Sequence, residues 1–208
     1  SLIDLRTAIQ AIHFPADWAA VDLARKRLIF DELFLFELLL LSKIRALQKH
    51  ERSQELQQAQ KILLQFRTAL PFSLTEDQEK AIDEIAKDVS TPIPMNRLLH
   101  GEVGSGKTIV AAFFLFLTAR NGLQAALLVP TEILAEQHHQ RLNPLLASLG
   151  VGTALLTGSL EDSERRKIYE DVCSGACPIL IGTHALLAEN VRFQNLGLVV
   201  IDEQHRFG

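Results

Sequence analysis

Hydrophobic residues in the first part of the chain recur at the spacing of helices. Neither glycine nor proline interrupts residues 16–50, so they predict one long helix that begins near Asp17. The apolar positions between residues 28 and 47 cover more than one face, and a helix of this kind is expected to be buried on several sides. A second helix is predicted from about Gln54 to Ala69, and Pro71 ends it.

From Leu74 the pattern of apolar positions changes. A helix over residues 76–89, with Thr75 as its N-cap, is followed by short apolar runs that alternate with helical patterns. Short apolar strands separated by helices are typical of a parallel sheet covered on both faces, so this pattern predicts an α/β fold. The predicted strands cover 97–100, 124–129, 152–157, 178–182 and 197–201, and the predicted helices cover 107–120, 131–148 and 160–174.

Composition divides the chain in the same way. All 11 glycines lie between Gly101 and Gly208, and residues 1–70 carry a charge of +2 whereas residues 71–208 carry −6. We therefore expect an all-helical segment over 1–70 and an α/β domain over 71–208. Neither part is basic enough to indicate nucleic acid by charge alone, so any such contact must come from individual residues, such as amides at helix N-termini.

Two cysteines, Cys173 and Cys177, are too few for a four-ligand zinc site and are expected to be reduced thiols. The longest apolar runs, 38–41 and 109–117, are shorter than the roughly 18 residues that a membrane-spanning helix needs. The residues from Ser1 onward do not resemble a signal peptide, so none is expected. A cytoplasmic location without membrane contact is the expectation.

Residues 101–108 match the phosphate-loop pattern G-x-x-x-x-G-K-[ST] between a predicted strand and a predicted helix. Glycines let the backbone turn tightly and point its amides at phosphate oxygens, and the helix N-terminus adds a favourable dipole. Lys107 can reach the β- and γ-phosphates, and the Thr108 hydroxyl can bind magnesium, so ATP and Mg²⁺ are predicted as cofactors. The predicted nucleotide-binding residues of the loop are Gly101, Gly104, Ser105, Gly106, Lys107 and Thr108.

An acidic pair, Asp202 and Glu203, follows the last predicted strand. Ligands of an open parallel sheet lie at the carboxyl ends of its strands, so both carboxylates are expected to face a nucleotide at the phosphate loop. Asp202 would complete the magnesium site, and Glu203 would orient or deprotonate the attacking water. Lys107, Asp202 and Glu203 are therefore the predicted catalytic residues.

These motifs resemble, in the same order, those of superfamily 2 helicases and translocases. The amino-acid sequences of the motifs are most similar to those of the RecG family of ATP-dependent DNA helicases, which act on replication forks and Holliday junctions in recombination and repair. The resemblance implies part of a first RecA-like P-loop NTPase lobe over 71–208, as far as motif II, behind a helical linker over 1–70, with the rest of that lobe expected to be missing. The segments that carry it are 12–15, 24–33, 101–108, 130–138, 156–159, 181–186 and 202–208.

The resemblance also suggests roles for individual residues. Gln78 would read adenine, and His205 would relay the nucleotide state to the DNA-facing motifs, although each has an ordinary structural interpretation as well. Small hydroxyl residues and glycines at helix N-termini suit contact with a DNA backbone regardless of sequence, or serve only as helix caps. The residues expected to contact phosphates of one DNA strand are Thr131, Gly158, Ser159, Gly182, Thr183 and His184.

The chain stops at Gly208, directly after motif II, so we expect the second motor lobe and its arginine finger to be missing and turnover by the isolated chain to be very weak. Two alternatives stay open. The chain is a nucleotide-binding or interaction module without motor activity, or it belongs to a transcription-repair coupling factor. In either case the apolar helix over 28–47 is expected to pack on other domains or to self-associate.

Overall fold

The computed structural model describes residues 2–50 and 53–206, with the side chains at 44 and 47–50 also outside the description. Two predicted apolar positions, Ile44 and Leu47, and the last two residues of the acidic motif therefore lie outside the described part. The chain divides into two compact units, Ser1–Arg52 and Ser53–Gly208. No helix in the described part is long and apolar enough to cross a bilayer.

The first unit is a pair of helices, α1 (Leu5–His13) and α2 (Trp18–His50), that pack along one another. Asp4 caps α1, and hydrogen bonds from the hydroxyl and amide of Thr7 lower the pKa of its carboxyl group. The Asp17 carboxylate accepts a 2.7 Å hydrogen bond from the Ala20 amide, which confirms the predicted start of the long helix. Helix α1 is not predicted from the sequence pattern.

The expectation that α2 is buried on several sides is wrong for its described side chains. Phe36 and Leu39 are 65% and 64% exposed, and their apolar neighbours from Leu33 to Leu41 are exposed as well. The physical reason is length, because α1 has nine residues and α2 has 33. Within the described residues of this unit, most of α2 has no neighbouring element that could cover it.

The second unit is built on a parallel sheet. Its strand order is β2-β3-β1-β4, and every pair of neighbours is parallel, as the alternation of strands and helices predicts. The strands are β1 (Gln124–Leu128), β2 (Thr153–Leu156), β3 (Ile179–Gly182) and β4 (Leu196–Ile201). The helices are α3 (Ala59–Ala69), α4 (Glu76–Val89), α5 (Lys107–Arg120), α6 (Glu132–Ser148) and α7 (Asp162–Cys173), with 3₁₀ helices at His184–Leu187 and Gln204–Arg206.

Alternate residues of the central strands β1 and β3 enter two separate cores, so these two strands are covered on both faces, whereas Val199 and Ile201 of β4 are about half exposed. Leu127 and Ile181 pack in the larger core with α3, α4, α5 and α6, whereas Leu128 and Leu180 pack in the smaller core with α7. Burial raises the pKa of the Cys177 thiol, in the smaller core, to about 11. Both cysteines are free thiols, as expected.

The predicted helix over 54–69 begins five residues late, because the segment before Ala59 is held by other elements. The Leu56 amide donates to the Val89 carbonyl at 2.8 Å, and the Gln57 amide donates to the Asn121 side chain at 2.8 Å. Gln58 then adopts a left-handed conformation (φ 59°), which breaks the helix. These long-range contacts cannot be read from local periodicity.

The predicted strand over 97–100 is also wrong. A strand needs a neighbour for its backbone groups, and in the described part of the chain these four residues pair with none. Arg97 instead donates to Asp88 at 2.6 Å and to Glu84 at 3.2 Å, both on α4. Leu98 is 74% exposed.

Helix α3 packs with the second unit, although the sequence groups it with the linker over residues 1–70. The Phe66 ring lies 5.6 Å from the Phe113 ring and 5.9 Å from the Phe116 ring, both on α5, measured between centroids. The compact units divide after Arg52, while the domain boundary near residue 70 stays a prediction.

Candidate functional site

The ends of the four strands form one level row. Leu128 is in register with both Gly182 and Ile201, and Leu156 is also in register with Gly182. The chain leaves all four strands at this edge, which we call the carboxyl edge. The predicted site residues lie at the ends of these strands or within three positions after them. They are Thr131 after β1, Gly158 and Ser159 after β2, Gly182, Thr183 and His184 at β3, and Asp202 and Glu203 after β4.

The phosphate loop lies on the same side of the sheet. Three residues separate the end of α5 at Arg120 from the start of β1, so α5 runs back across the sheet and its N-terminus points toward the carboxyl edge. Gly104 (φ 84°) and Gly106 (φ 80°) adopt the left-handed conformation, which glycine tolerates best. Gly106 precedes Lys107, the first residue of α5. The predicted loop, helix and glycine turns are therefore all present.

Lys107 lies over the loop from which it extends. Its ammonium group donates to the carbonyl oxygens of Gly101 and Glu102, each at 2.8 Å. At Gly101 an added Cβ would come within 2.8 Å of the Ser105 hydroxyl oxygen, so a side chain at 101 would disturb the turn. The ammonium group is thus held at the backbone that the motif uses for phosphate binding.

Gln78 contacts the phosphate loop from α4. Its side-chain oxygen accepts from the Thr75 amide at 3.0 Å and completes a capping box, while its Nε2 donates to the Ser105 carbonyl at 3.1 Å. An added Cβ at Gly106 would overlap that Nε2. The structure thus places Gln78 at the loop, and its reading of adenine stays a prediction.

Asp202 is held from two directions. Its Oδ1 accepts from the Glu203 amide at 3.0 Å, and its Oδ2 lies 2.9 Å from His138 Nε2 on α6. The His138 side chain is only 12% exposed, and its Nδ1 is buried without a hydrogen-bond partner among the described residues. A buried polar atom without a hydrogen-bond partner lowers the free energy of unfolding by about 1–3 kcal/mol, so its presence beside a candidate site needs an explanation.

Glu203 has a left-handed backbone (φ 54°), an uncommon conformation for a residue with a side chain. Strain of this type costs about 1–3 kcal/mol and concentrates at functional sites. The Glu203 carboxylate lies 3.4 Å from His205 Nε2, and the His205 side chain is mostly exposed. His205 therefore contacts the acidic pair, and its relay to DNA stays a prediction.

The loop after β2 is held at both ends. The Glu132 carboxylate, on the first turn of α6, accepts from the Ser159 amide at 3.2 Å. Arg165 donates to the carbonyls of Gly158 and Leu160 at 2.9 and 2.8 Å. Thr131 caps α6 by accepting from the Leu134 amide at 3.3 Å, which leaves the loop and the helix start fixed beside each other.

Gly182 and Thr183 are buried, unlike the exposed His184. A Cβ on Gly182 would overlap the Leu156 carbonyl oxygen and the Leu186 side chain. Close packing between β2 and β3 is therefore sufficient reason for glycine at 182. Contact of these residues with DNA phosphates stays a prediction.

A family model described as DEAD/DEAH box helicase matches residues 75–208. That range contains the phosphate loop, the acidic pair and the whole sheet. The chain belongs to the DEAD/DEAH box helicase family.

Relatives with the name ATP-dependent DNA helicase RecG match the chain over its full length. The protein of Synechocystis is 48% identical over 100% of the chain, and that of Aquifex aeolicus is 47% identical over 99%. A solved structure of RecG bound to a three-way DNA junction covers 100% of the chain with a TM-score of 0.89 and 41% identity. The expected resemblance to RecG and the expected α/β RecA-like fold are both confirmed.

The chain spans 25% and 26% of the length of these two relatives and 28% of the solved chain.

Membership of a DEAD/DEAH box helicase family implies use of ATP. In the described part of the chain no cluster of three or more His, Cys, Asp or Glu could hold a metal ion. Magnesium stays a prediction, with the Thr108 hydroxyl and the Asp202 carboxylate as the protein oxygens predicted to bind it.

The structure brings to the site three further residues that the sequence motifs do not indicate. His138 contacts Asp202, Glu132 contacts the loop after β2, and Arg165 closes that loop. His138 stands at the end of the motif over 130–138, but nothing in its spacing indicates the carboxylate that it contacts. Only the fold brings α6 beside the end of β4.

Proposed function

We propose that the chain is the ATP-binding part of an ATP-dependent DNA helicase or translocase that acts on branched DNA. The observation that carries this proposal is the level row of strand ends, which brings the acidic pair and the candidate phosphate-binding residues to one edge, on the side to which α5 points its phosphate loop. The similarity to RecG over the full chain supports the choice of branched DNA, as found at forks and Holliday junctions in repair and recombination.

In this proposal the loop residues 101–108 bind the nucleotide phosphates through backbone amides and the N-terminus of α5. The Lys107 ammonium would move from the loop carbonyls to the β- and γ-phosphates, and the Thr108 hydroxyl and the Asp202 carboxylate would hold Mg²⁺. When bound there, the metal would supply positive charge against the charge that develops on the phosphates. The Glu203 carboxylate orients the attacking water and accepts its proton.

DNA binding is proposed for the ends of the other three strands, β1, β2 and β3, along the carboxyl edge. Thr131, Ser159 and His184 lie at helix starts or in the loop after β2, and exposed amides and hydroxyls there can bind phosphate oxygens without reading bases. The net charge of −4 gives no general attraction to DNA, so these contacts must be local. A cytoplasmic location, where a bacterial chromosome lies, completes this proposal.

The experiment is DNA-stimulated ATP hydrolysis by the whole protein to which the chain belongs. Lys107→Ala should remove hydrolysis down to background, because no other side chain of the loop carries a positive charge to the phosphates. Lys87→Ala, an exposed lysine on α4, is the matched control and should keep full activity. Hydrolysis that branched DNA does not stimulate, or that survives Lys107→Ala, would contradict the proposal.

A coupling factor is the alternative motor. Remodelling of a three-way junction without RNA polymerase favours the RecG type, and displacement of stalled RNA polymerase without junction remodelling favours the coupling factor.

The second candidate function is an interaction module, and the exposed apolar face of α2 favours it. Phe34, Leu35 and Phe36 are each more than half exposed, and patches of this kind mark contact surfaces. The face over 28–47 would pack on other parts of the whole protein or on a second copy. Sedimentation of the chain tests this: a monomer at all concentrations contradicts self-association.

A further inference from the structure

His138 connects two parts of the proposed site that are far apart in sequence. It lies on α6, 64 positions before Asp202, and its Nε2 is 2.9 Å from Asp202 Oδ2. A carboxylate oxygen only accepts hydrogen bonds when ionised, so Nε2 carries the hydrogen and donates it. The imidazole is nearly buried, with 12% of its side chain exposed, which keeps water from competing for the same oxygen.

This bond decides how the Asp202 carboxylate is oriented. The other bond to Asp202, from the Glu203 amide at 3.0 Å, comes from the next residue and moves with it. Among the described residues, His138 is the side chain of another element that contacts this carboxylate. With one donor on each oxygen, rotation of the carboxylate is restricted, and each oxygen keeps a second lone pair for a metal.

The helix that carries His138 also reaches the candidate DNA-binding loop. Thr131 caps α6, and Glu132 on its first turn accepts from the Ser159 amide at 3.2 Å. His138 follows Thr131 by seven residues, which is about two turns or 10 Å along one face of a helix. One rigid helix therefore contacts Asp202 and the loop after β2.

We propose that His138 is a positioning residue that orients the Asp202 carboxylate for magnesium and links it, through α6, to the residues that contact DNA. The proposal rests on the proposed function for its DNA part. Its metal part concerns only residues of this chain and the nucleotide that they bind. Removal of the imidazole should therefore weaken magnesium-dependent nucleotide binding and weaken the coupling between nucleotide and DNA.

The first measurement is equilibrium binding of mant-AMP-PNP, a fluorescent non-hydrolysable ATP analogue, to the whole protein with Mg²⁺ and with EDTA. Loss of a group that orients a metal ligand typically costs 10- to 100-fold in metal affinity or activity, so His138→Ala should weaken binding by about 10-fold in Mg²⁺. In EDTA the same variant should bind as the wild type does.

Two variants distinguish a loss of orientation of the Asp202 carboxylate from a general folding defect. His138→Gln places an amide N–H near the position of Nε2, so it should restore binding in Mg²⁺ to within about 3-fold of wild type, a residual difference well below the usual loss for an unsupported ligand. His139→Ala removes the adjacent histidine, which contacts no carboxylate in the described residues, and should bind normally. Equal weakening in Mg²⁺ and EDTA, or failure of Gln to restore binding, would overturn the proposal.

The second measurement is the factor by which Mg²⁺ and AMP-PNP change the affinity for a synthetic three-way junction. His138→Ala should bring this factor close to 1, while its affinity for the junction without nucleotide stays at the wild-type value. An unchanged factor would overturn the link through α6. Absence of DNA-stimulated hydrolysis in the wild type would instead contradict the proposed function, and the mant-AMP-PNP result would still decide the metal part.

Discussion

Two helices of this protein contain similar apolar runs that lie in opposite environments. In α5 the run 113–117 reads Phe-Phe-Leu-Phe-Leu, and each of its side chains is at most 3% exposed. In α2 the run 33–36 reads Leu-Phe-Leu-Phe, and each is more than half exposed. Helix α5 is covered by α3, α4 and the sheet, whereas among the described residues of its unit α2 has only α1 beside it. An apolar run in a helix is stabilised by burial, but the sequence of the run does not determine which neighbouring elements bury it.

Phe116→Ala in α5 should have the largest effect on stability. The ring is 1% exposed and packs 5.9 Å from the Phe66 ring, so truncation leaves a cavity and costs about 3–5 kcal/mol of unfolding free energy. Urea denaturation of the chain measures this. Phe36→Ala in α2 is the matched control and should change it by less than about 0.5 kcal/mol. Equal losses would remove the contrast between the two helices.

Gly197→Ala should test how tightly the sheet covers α5. The added Cβ would lie 2.7 and 2.9 Å from Leu123 side-chain atoms and 3.2 Å from Thr118 Cγ2, so overpacking should cost about 1–3 kcal/mol. At Gly152 an added Cβ meets nothing within 4 Å, and Gly152→Ala should be neutral or slightly stabilising. A thermal melt that shows the same midpoint for both variants would argue against close packing at Gly197.

Asn121→Ala should weaken the C-terminal end of α5. The side chain accepts from the Gln57 amide at 2.8 Å and donates to the carbonyls of Leu117 and Gln57 at 2.8 and 3.2 Å. Loss of the side chain should lower the free energy of unfolding by about 1 kcal/mol, because the partly exposed groups that it contacts can form hydrogen bonds with water instead. Guanidinium denaturation reports the change. Asn190→Ala, on an exposed turn, is the control and should have no measurable effect.

Leu35→Gln in α2 should have the smallest effect on folding. Leu35 is 58% exposed and glutamine is nearly as good a helix former, so unfolding free energy should change by less than about 0.5 kcal/mol. The same variant should reduce any concentration-dependent association of the chain, as sedimentation velocity would show. A large loss of stability with no change in association would mean that α2 is covered within the folded chain.

Much of the second unit could be predicted from local patterns. The predicted helices over 76–89 and 107–120 have the same bounds in the structure, because Thr75 caps the first and the phosphate loop starts the second. The predicted order of strands and helices after residue 120 is confirmed. The strand over 97–100 failed because an apolar run needs a partner to become a strand, and a local pattern contains no information about partners.

The candidate site was likewise predictable only where its residues form contiguous motifs. The phosphate loop and the acidic pair are contiguous motifs, so the types and spacing of their residues indicate their chemistry directly. His138 is different, because its role depends on α6 passing beside the end of β4, 64 positions further along the chain. The buried state of Gly182 and Thr183 likewise depends on the packing of β2 against β3.

The sequence by itself determined the α/β class, the family and the candidate residues for ATP binding, since periodicity and contiguous motifs are local properties. The tertiary structure alone decided that α5 is buried and the described part of α2 exposed, and that His138 holds the magnesium candidate Asp202. The physical reason is common to these cases. Burial and hydrogen bonding between distant residues depend on which surfaces the fold brings together, and equal local patterns can meet different neighbours.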